Sequence, residues 1–274
     1  MKVAFVGDNC IDDYGAKEGC FPGGNAVNAA VGFRRLGAEA TYFGVVGDDE
    51  AGTLLKEQLR AEGVGVDFLK TLPGATARTT ITLQQGERHF SDYDPGVHRH
   101  FQLTPEDREA ILSFDLLLCG RWGGVNHELA FFHEKGLPIA YDAATEPLGD
   151  SMEALLPSLT LLFFSTEETD DEVLRGLLFT LWVKGPELIV ALRGERGSLC
   201  FDGAFFHEHL PDPLPALDSL GAGDAFIAGF LFSYLNGSDI PSALALGSAL
   251  AEECLGHLGA WVPRFNSLAP KEML

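Results

Sequence analysis

Short apolar runs rich in Val, Leu and Phe alternate with stretches of helical period, and the order repeats down the chain. Val3–Gly7 reads as a strand, and Asn25–Leu36 as a helix stopped by Gly37. Thr41–Val46 reads as the next strand, and Gly52–Glu62 as a helix ending at Gly63. Asp115–Cys119, Ile139–Asp142, Leu159–Phe164 and Leu188–Leu192 have the composition of buried strands, with helical stretches between most of them. Thr104 followed by Pro105 marks a further helix start, with Thr as N-cap and Pro at the first helical position. Helices in the gaps between apolar strands predict an α/β fold with a mainly parallel sheet covered on both faces.

Two segments break this rhythm. Residues 10–22 hold glycines, acids and a Pro but no helical period. Residues 76–93 alternate polar and apolar positions and predict a β-hairpin turning near Gln85-Gly86. A hairpin inside an α/β series is expected to stand apart from the main sheet. The two segments together predict a small, discontinuous β lid on a single domain spanning residues 1–274, with no repeat or linker dividing it.

Composition narrows the function classes. A chain of 274 residues, 46 % apolar, can bury one large core or a main domain with a small accessory one. Nineteen basic against forty acidic residues give a net charge of −21. Such a chain has no basic footprint for nucleic acid, and its field opposes anionic membranes. No apolar stretch reaches the ~18 residues of a membrane span, and the opening Met-Lys-Val-Ala-Phe-Val reads as a strand, not a signal peptide. Cysteines 10, 20, 119, 200 and 254 form no C-x-x-C pair, the usage expected of reduced thiols in a cytoplasmic protein.

Three stretches carry candidate chemistry. In Asp218-Ser-Leu-Gly-Ala-Gly-Asp-Ala-Phe226, a Gly-Ala-Gly turn opens a helix, presenting unpaired amides to an anion at the positive end of the helix dipole. Asp224 in that first turn would repel a resting phosphate, but it suits a base that takes a proton from a hydroxyl attacking the phosphate. In Phe21-Pro-Gly-Gly-Asn-Ala-Val-Asn28, Gly23 and Gly24 bring backbone close to the start of a helix, and Asn25 and Asn28 share one face. Their carboxamides can serve a polyol's hydroxyls; a glycine turn with an Asn cap is the alternative. Gly7-Asp8-Asn9-Cys10-Ile11-Asp12-Asp13 follows the first strand, where ligands of open parallel sheets gather, and its acids can grip sugar hydroxyls or simply cap a turn.

Together these stretches resemble the PfkB, or ribokinase-like, family of carbohydrate kinases over essentially the whole chain. The resemblance implies a ribokinase-like three-layer αβα sandwich with a small β lid. It also implies ATP-dependent phosphorylation of a primary hydroxyl on a sugar or glycated amino acid. The resemblance in segments 7–12, 21–30, 46–49, 88–93 and 259–261 implies fructoselysine as the leading substrate; another hexose, ribose or a nucleoside is the alternative, and a non-catalytic sugar sensor a further one. Asp224 would be the base and the amides of Gly221, Ala222 and Gly223 the anion hole. Asp12, Gly24, Asn25 and Asn28 match sugar-holding positions, with Gly23 and Asp8 beside them. The lid would exclude water, with Arg78, Arg88 and Tyr93 reaching the substrate, and would pair across a homodimer.

The nucleotide side departs from the family pattern. Ser165-Thr-Glu-Glu168 stands in place of Asn-x-x-Glu, so Glu168 fits the acid that organises Mg2+ and water while Ser165 replaces the Asn. Leu192-Arg-Gly-Glu-Arg-Gly197 stands in place of Thr-Leu-Gly-x-x-Gly, leaving Arg193, Gly194 and Gly197 to meet ATP. Asp218 either helps to hold a monovalent cation or shapes the turn. The remaining acids at 167–172 suit a solvated helix start. His98/His100 and His207/His209 lack a clear third metal ligand. Trp261 reads as packing; Trp122 does too, or it lines the sugar's appended group.

Overall fold

The first strand, Lys2–Val6, sends Val3 and Phe5 into one apolar cluster and Ala4 and Val6 into another, so both its faces are covered. That alternation sets the architecture of this computed structural model, which describes residues 1–15, 17–84 and 87–264, without the side chains of 83, 84 and 87–90. In chain order the elements are β1 (Lys2–Val6), β2 (Cys10–Asp13), β3 (Cys20–Gly23), α1 (Asn25–Arg35), β4 (Glu39–Gly47), α2 (Glu50–Glu62), β5 (Leu69–Leu72), β6 (Arg78–Gln84), β7 (Glu87–Asp94), α3 (Pro105–Ile111), β8 (Leu116–Gly120), α4 (Leu129–Glu134), β9 (Ile139–Asp142), α5 (Asp150–Leu155), β10 (Leu161–Ser165), α6 (Asp171–Trp182), β11 (Leu188–Leu192), β12 (Ser198–Phe201), β13 (Phe206–His209), α7 (Ala222–Leu235) and α8 (Ile240–Cys254).

Among the described residues nine strands form the large sheet, in the order β13-β12-β11-β10-β9-β8-β1-β4-β5. All neighbours from β11 to β5 run parallel; β12 and β13 add an antiparallel edge that the apolar pattern did not predict. Helices α1, α2, α7 and α8 bury their apolar residues on one face, with α3–α6 on the other, giving three layers. Helix α7 is apolar almost all round because it lies between α1 and α8 and over the sheet. Strands β9 and β11 occupy their predicted ranges, and Gly63 ends α2 in the left-handed conformation. Helix α2 starts two residues earlier than its apolar pattern, because the Asp49 side chain accepts from Gly52 N at 2.8 Å and caps it. Thr104 and Asp107 form a full capping box on α3.

A second sheet of four strands, β3-β2-β6-β7, stands apart. Strand β2 pairs antiparallel with β3 and parallel with β6, and β6 pairs antiparallel with β7. The predicted turn at Gln85-Gly86 lies outside the described residues. Among the described residues no helix is long and apolar enough to cross a membrane.

Candidate active site

The Asp218–Phe226 stretch folds into the turn and first helical residues that its glycines require. Gly221 is left-handed at φ +79°, and a Cβ on it would lie 2.3 Å from the Ala260 Cβ. No other residue fits there without displacing the 259–261 segment. Asp218, buried, ties the turn down. Its Oδ1 accepts from Leu220 N at 2.9 Å, and its Oδ2 accepts from Gly259 N at 3.0 Å and from the Tyr14 hydroxyl at 2.5 Å. Ala222 N leans back to Ser219 O at 3.3 Å and Ala225 N donates to Gly221 O at 2.8 Å, so the amides of Gly223 and Asp224 between them are first-turn donors with no intrahelical acceptor. Gly223 differs from Gly221. A Cβ on it would meet only Leu192 Cδ1, at 3.7 Å, so its lack of a side chain opens space in front of those amides.

Asp224 projects from this turn into a buried wall of carboxylates and carboxamides. Asn28 Nδ2 donates to Asp224 Oδ2 at 2.8 Å, while the Trp261 indole N–H donates to Asn28 Oδ1 at 3.2 Å. Trp261 therefore fixes the Asn28 amide with its NH2 toward the acid. One helical turn earlier, Asn25 Nδ2 donates to Asp142 Oδ2 at 2.9 Å. Asp8 Oδ2 accepts from Asn25 N at 2.8 Å, placing a carboxylate on the N-terminus of α1. Gly24 permits this, since a Cβ there would lie 2.5 Å from Asn9 Cα. Gly23 leaves room for the Asp12 carboxylate, which would lie 1.8 Å from a Cβ on it.

Four acids from distant parts of the chain thus share one space. Burial pushes the Asp224 carboxyl well above the usual range, and the charge of Asp142 adds to it. Asp8 and Asp12 push the same way, against the Asn28 hydrogen bond. Burial also raises Asp142, opposed by its bonds from Ala144 N and Asn25, and raises Asp8, opposed by Asn25 N and the nearby His98. A carboxylate held in this way is a stronger base than one in water. Asp142 was not singled out in the sequence. Its one signal is an acid at the carboxyl end of a buried strand, where parallel sheets place ligands. Trp261, read as packing, is buried and also orients Asn28.

Strand register sorts the small sheet's residues by face. Asp12 pairs with Phe21 and Thr79, and Thr79 with Tyr93, so these side chains share the face turned toward the acids. Tyr93 is half-exposed there, its hydroxyl pushed up to about 12 by partial burial and by the charges of Cys10 and Asp8. Arg78 falls on the opposite face and binds Asp13 at 2.7 Å, so the structure does not bring it to the acids. Arg88 lies in β7, and its side chain is outside the described ones.

Glu168 follows β10 and is half-buried. Its Oε1 accepts from Asp170 N at 2.8 Å, and its carbonyl accepts from Arg196 at 2.6 Å. The Arg193 guanidinium is buried and pairs with Asp171 and Glu208, at 3.3 and 2.5 Å. Gly194 begins a short 3-10 turn, and Gly197 makes room for β13, since a Cβ would lie 2.0 Å from His209 O. His98 meets the Trp122 carbonyl at 3.0 Å, and His207 meets Asp202 at 2.8 Å.

Residues 8–264 match the family model described as pfkB family carbohydrate kinase. The chain is 36 % identical over 259 residues to fructoselysine 6-kinase of Escherichia coli, covering 94 % of this chain and 99 % of that protein. It is 32 % identical over 267 residues to a fructosamine kinase of Bacillus subtilis, covering 95 % and 93 %. Among solved structures, Arabidopsis thaliana ribokinase complexed with ribose and ATP superposes with a TM-score of 0.83 at 20 % identity, covering 94 % of this chain and 93 % of that one. At that identity it speaks for the fold alone.

Proposed function

The chain belongs to the pfkB family of carbohydrate kinases, phosphotransferases acting on a sugar hydroxyl, and within it we propose that this enzyme converts fructoselysine and ATP to fructoselysine 6-phosphate and ADP. The observation that carries the chemistry is the buried Asp224, placed between the Asn28 carboxamide and the amide-lined turn of α7. Two relatives named for fructosamines, matched over nearly their whole lengths, support the substrate. The surplus of buried carboxylates also suits it, because a fructosamine carries a cationic amine.

In this reading Asp8, Asp12 and the Asn25–Asp142 pair hold the sugar's hydroxyls at the carboxyl end of the sheet. Asp224 takes the proton of the 6-hydroxyl as its oxygen bonds to the terminal phosphorus of ATP and the bond from that phosphorus to the leaving ADP oxygen breaks. The amides following Gly221 receive the negative charge on the transferred group, where a fixed donor needs no reorganisation. The small sheet acts as a lid that excludes water, so that the sugar and not solvent accepts the phosphoryl group. The donors on the nucleotide side are oxygens, which suit magnesium. Glu168, its side chain fixed by Asp170 N, would hold the ion through water. Magnesium bound there would neutralise phosphate charge.

An ADP-release assay over fructoselysine, other fructosamines, fructose, ribose and nucleosides tests the reading. Turnover of fructosamines above the rest is expected. Activity confined to ribose or nucleosides would overturn the substrate, and binding of sugar with no ADP release would overturn the kinase.

A further inference from the structure

The loop after β8 lies across the end of β1, beside Asp8. Gly7 and Gly123 approach so closely that a Cβ on Gly7 would stand 2.6 Å from Gly123 Cα. Arg121 N donates to Asp142 O at 2.9 Å, and the Trp122 carbonyl meets His98. The loop is thus fastened to the backbone of Asp142 and packed against Gly7, the residue before Asp8, and holds two large side chains at its rim. Trp122 is 54 % exposed, and the Arg121 guanidinium lies over its ring, 5.5 Å from the centroid. Arg121 also forms an ion pair with Glu146, in the loop after β9, whose side chain is 57 % exposed. The Arg121 Nε is buried without a hydrogen-bond partner among the described residues.

Exposing an indole forgoes the stabilisation that its burial gives, and a buried guanidinium N–H without a partner costs more. Both features suit a ligand that covers the ring and adds an acceptor. The charges set its chemistry: a cation and an anion side by side, next to an apolar plate. An α-amino acid head group carries the same two charges with opposite signs on one carbon. A carboxylate also suits the planar fork of arginine.

We propose that Arg121, Trp122 and Glu146 seat the amino-acid end of the glycated substrate. Arg121 takes the α-carboxylate and Glu146 the α-ammonium, while the Trp122 indole lies along the alkyl chain that leads back to the sugar. This rests on the fructosamine reading above and adds to it: the enzyme selects the free amino acid's head group as well as the sugar.

The test compares fructoselysine with 1-butylamino-1-deoxyfructose, which keeps the sugar and the amine but lacks the head group. Wild-type kcat/KM should favour fructoselysine by ~10–100-fold, mostly through KM, as expected for one or two charge-assisted contacts. In Arg121→Gln that preference should collapse to within roughly threefold, and Glu146→Gln should reduce it in part. Nα-acetylfructoselysine methyl ester, given to the wild-type enzyme, should behave like the truncated substrate whether or not either variant folds. If the wild-type enzyme turns over fructoselysine, the truncated fructosamine and the blocked ester with equal KM, the head-group seat is refuted while the fructosamine reading stands. A preference that survives Arg121→Gln refutes it too. Turnover of neither fructosamine overturns the substrate reading itself.

Discussion

Replacing Asp224 with Asn removes a charge and little else. The side chain keeps its size, and an oxygen at position 224 can still accept the 2.8 Å bond from Asn28 Nδ2. The reaction loses its base, so kcat should fall by ~10²–10⁴ with KM changing little. That is about 3–5 kcal/mol on the barrier at 1.36 kcal/mol per decade. Stability should move the other way. Burial and the charges of Asp142, Asp8 and Asp12 raise the Asp224 pKa above its unfolded value, so the ionised acid opposes folding. This opposition grows as pH rises above the unfolded pKa and is complete above the folded one. The Asp224→Asn variant escapes it, and a gain of about 1–3 kcal/mol at pH 7 is expected. For a domain of this size each kcal/mol raises Tm by about 2–4 °C. Well below pH 4 both proteins are neutral at this site and the gain should vanish. Thermal melts at several pH values and steady-state kinetics measure both halves. Near-normal turnover would refute Asp224 as base; a lower Tm at pH 7 would refute the electrostatic account.

Four other perturbations bear on the same site. Asp142→Asn removes the largest charge raising Asp224, so the rise of kcat/KM with pH should move to lower pH, as read from a pH–rate profile. Gly221→Ala must fit a methyl within 2.3 Å of the Ala260 Cβ at positive φ, and should cost about 1–3 kcal/mol as well as activity. Gly223→Ala meets nothing closer than 3.7 Å, so its Tm should stay near that of wild type. Its kcat should nevertheless fall at least ~10-fold as the methyl enters the phosphoryl path; full activity would remove those amides from the mechanism. Asp218→Ala leaves Leu220 N, Gly259 N and the Tyr14 hydroxyl without this acceptor, and should cost about 2–4 kcal/mol in denaturant unfolding.

The acids explain a tension in the site. Asp8, Asp12, Asp142 and Asp224 each contribute to a repulsion that folding must overcome, and hydrogen bonds from Asn25, Asn28 and backbone amides offset part of it. A cationic substrate would offset more. Binding of an amine-bearing sugar should therefore be more favourable than binding of its neutral counterpart, a difference that rises with pH as the acids ionise.

Local pattern alone determined much of the fold. Fully apolar runs such as Leu188–Leu192 are strands buried on both faces, whatever surrounds them. Gly63, Gly37 and the Thr104-Pro105 pair end or start helices through backbone chemistry that needs no tertiary contact. The Gly-Ala-Gly-Asp turn was legible for the same reason: helix-end amides and an adjacent acid are local facts. What the sequence could not determine was which way side chains face once strands pair. Arg78 and Thr79 are neighbours in one strand, yet only Thr79 lies on the face toward the acids, because the register with Asp12 puts it there. Arg193 has the spacing of a nucleotide contact, and only the fold pairs its buried guanidinium with Asp171 and Glu208 from other elements. Asp142 is 82 residues before Asp224 in sequence, and only the parallel order β9-β8-β1 beside α1 and α7 brings the two charges together. Periodicity and turn chemistry act over a few residues, whereas the field at Asp224 is a sum over groups that only the folded sheet makes neighbours.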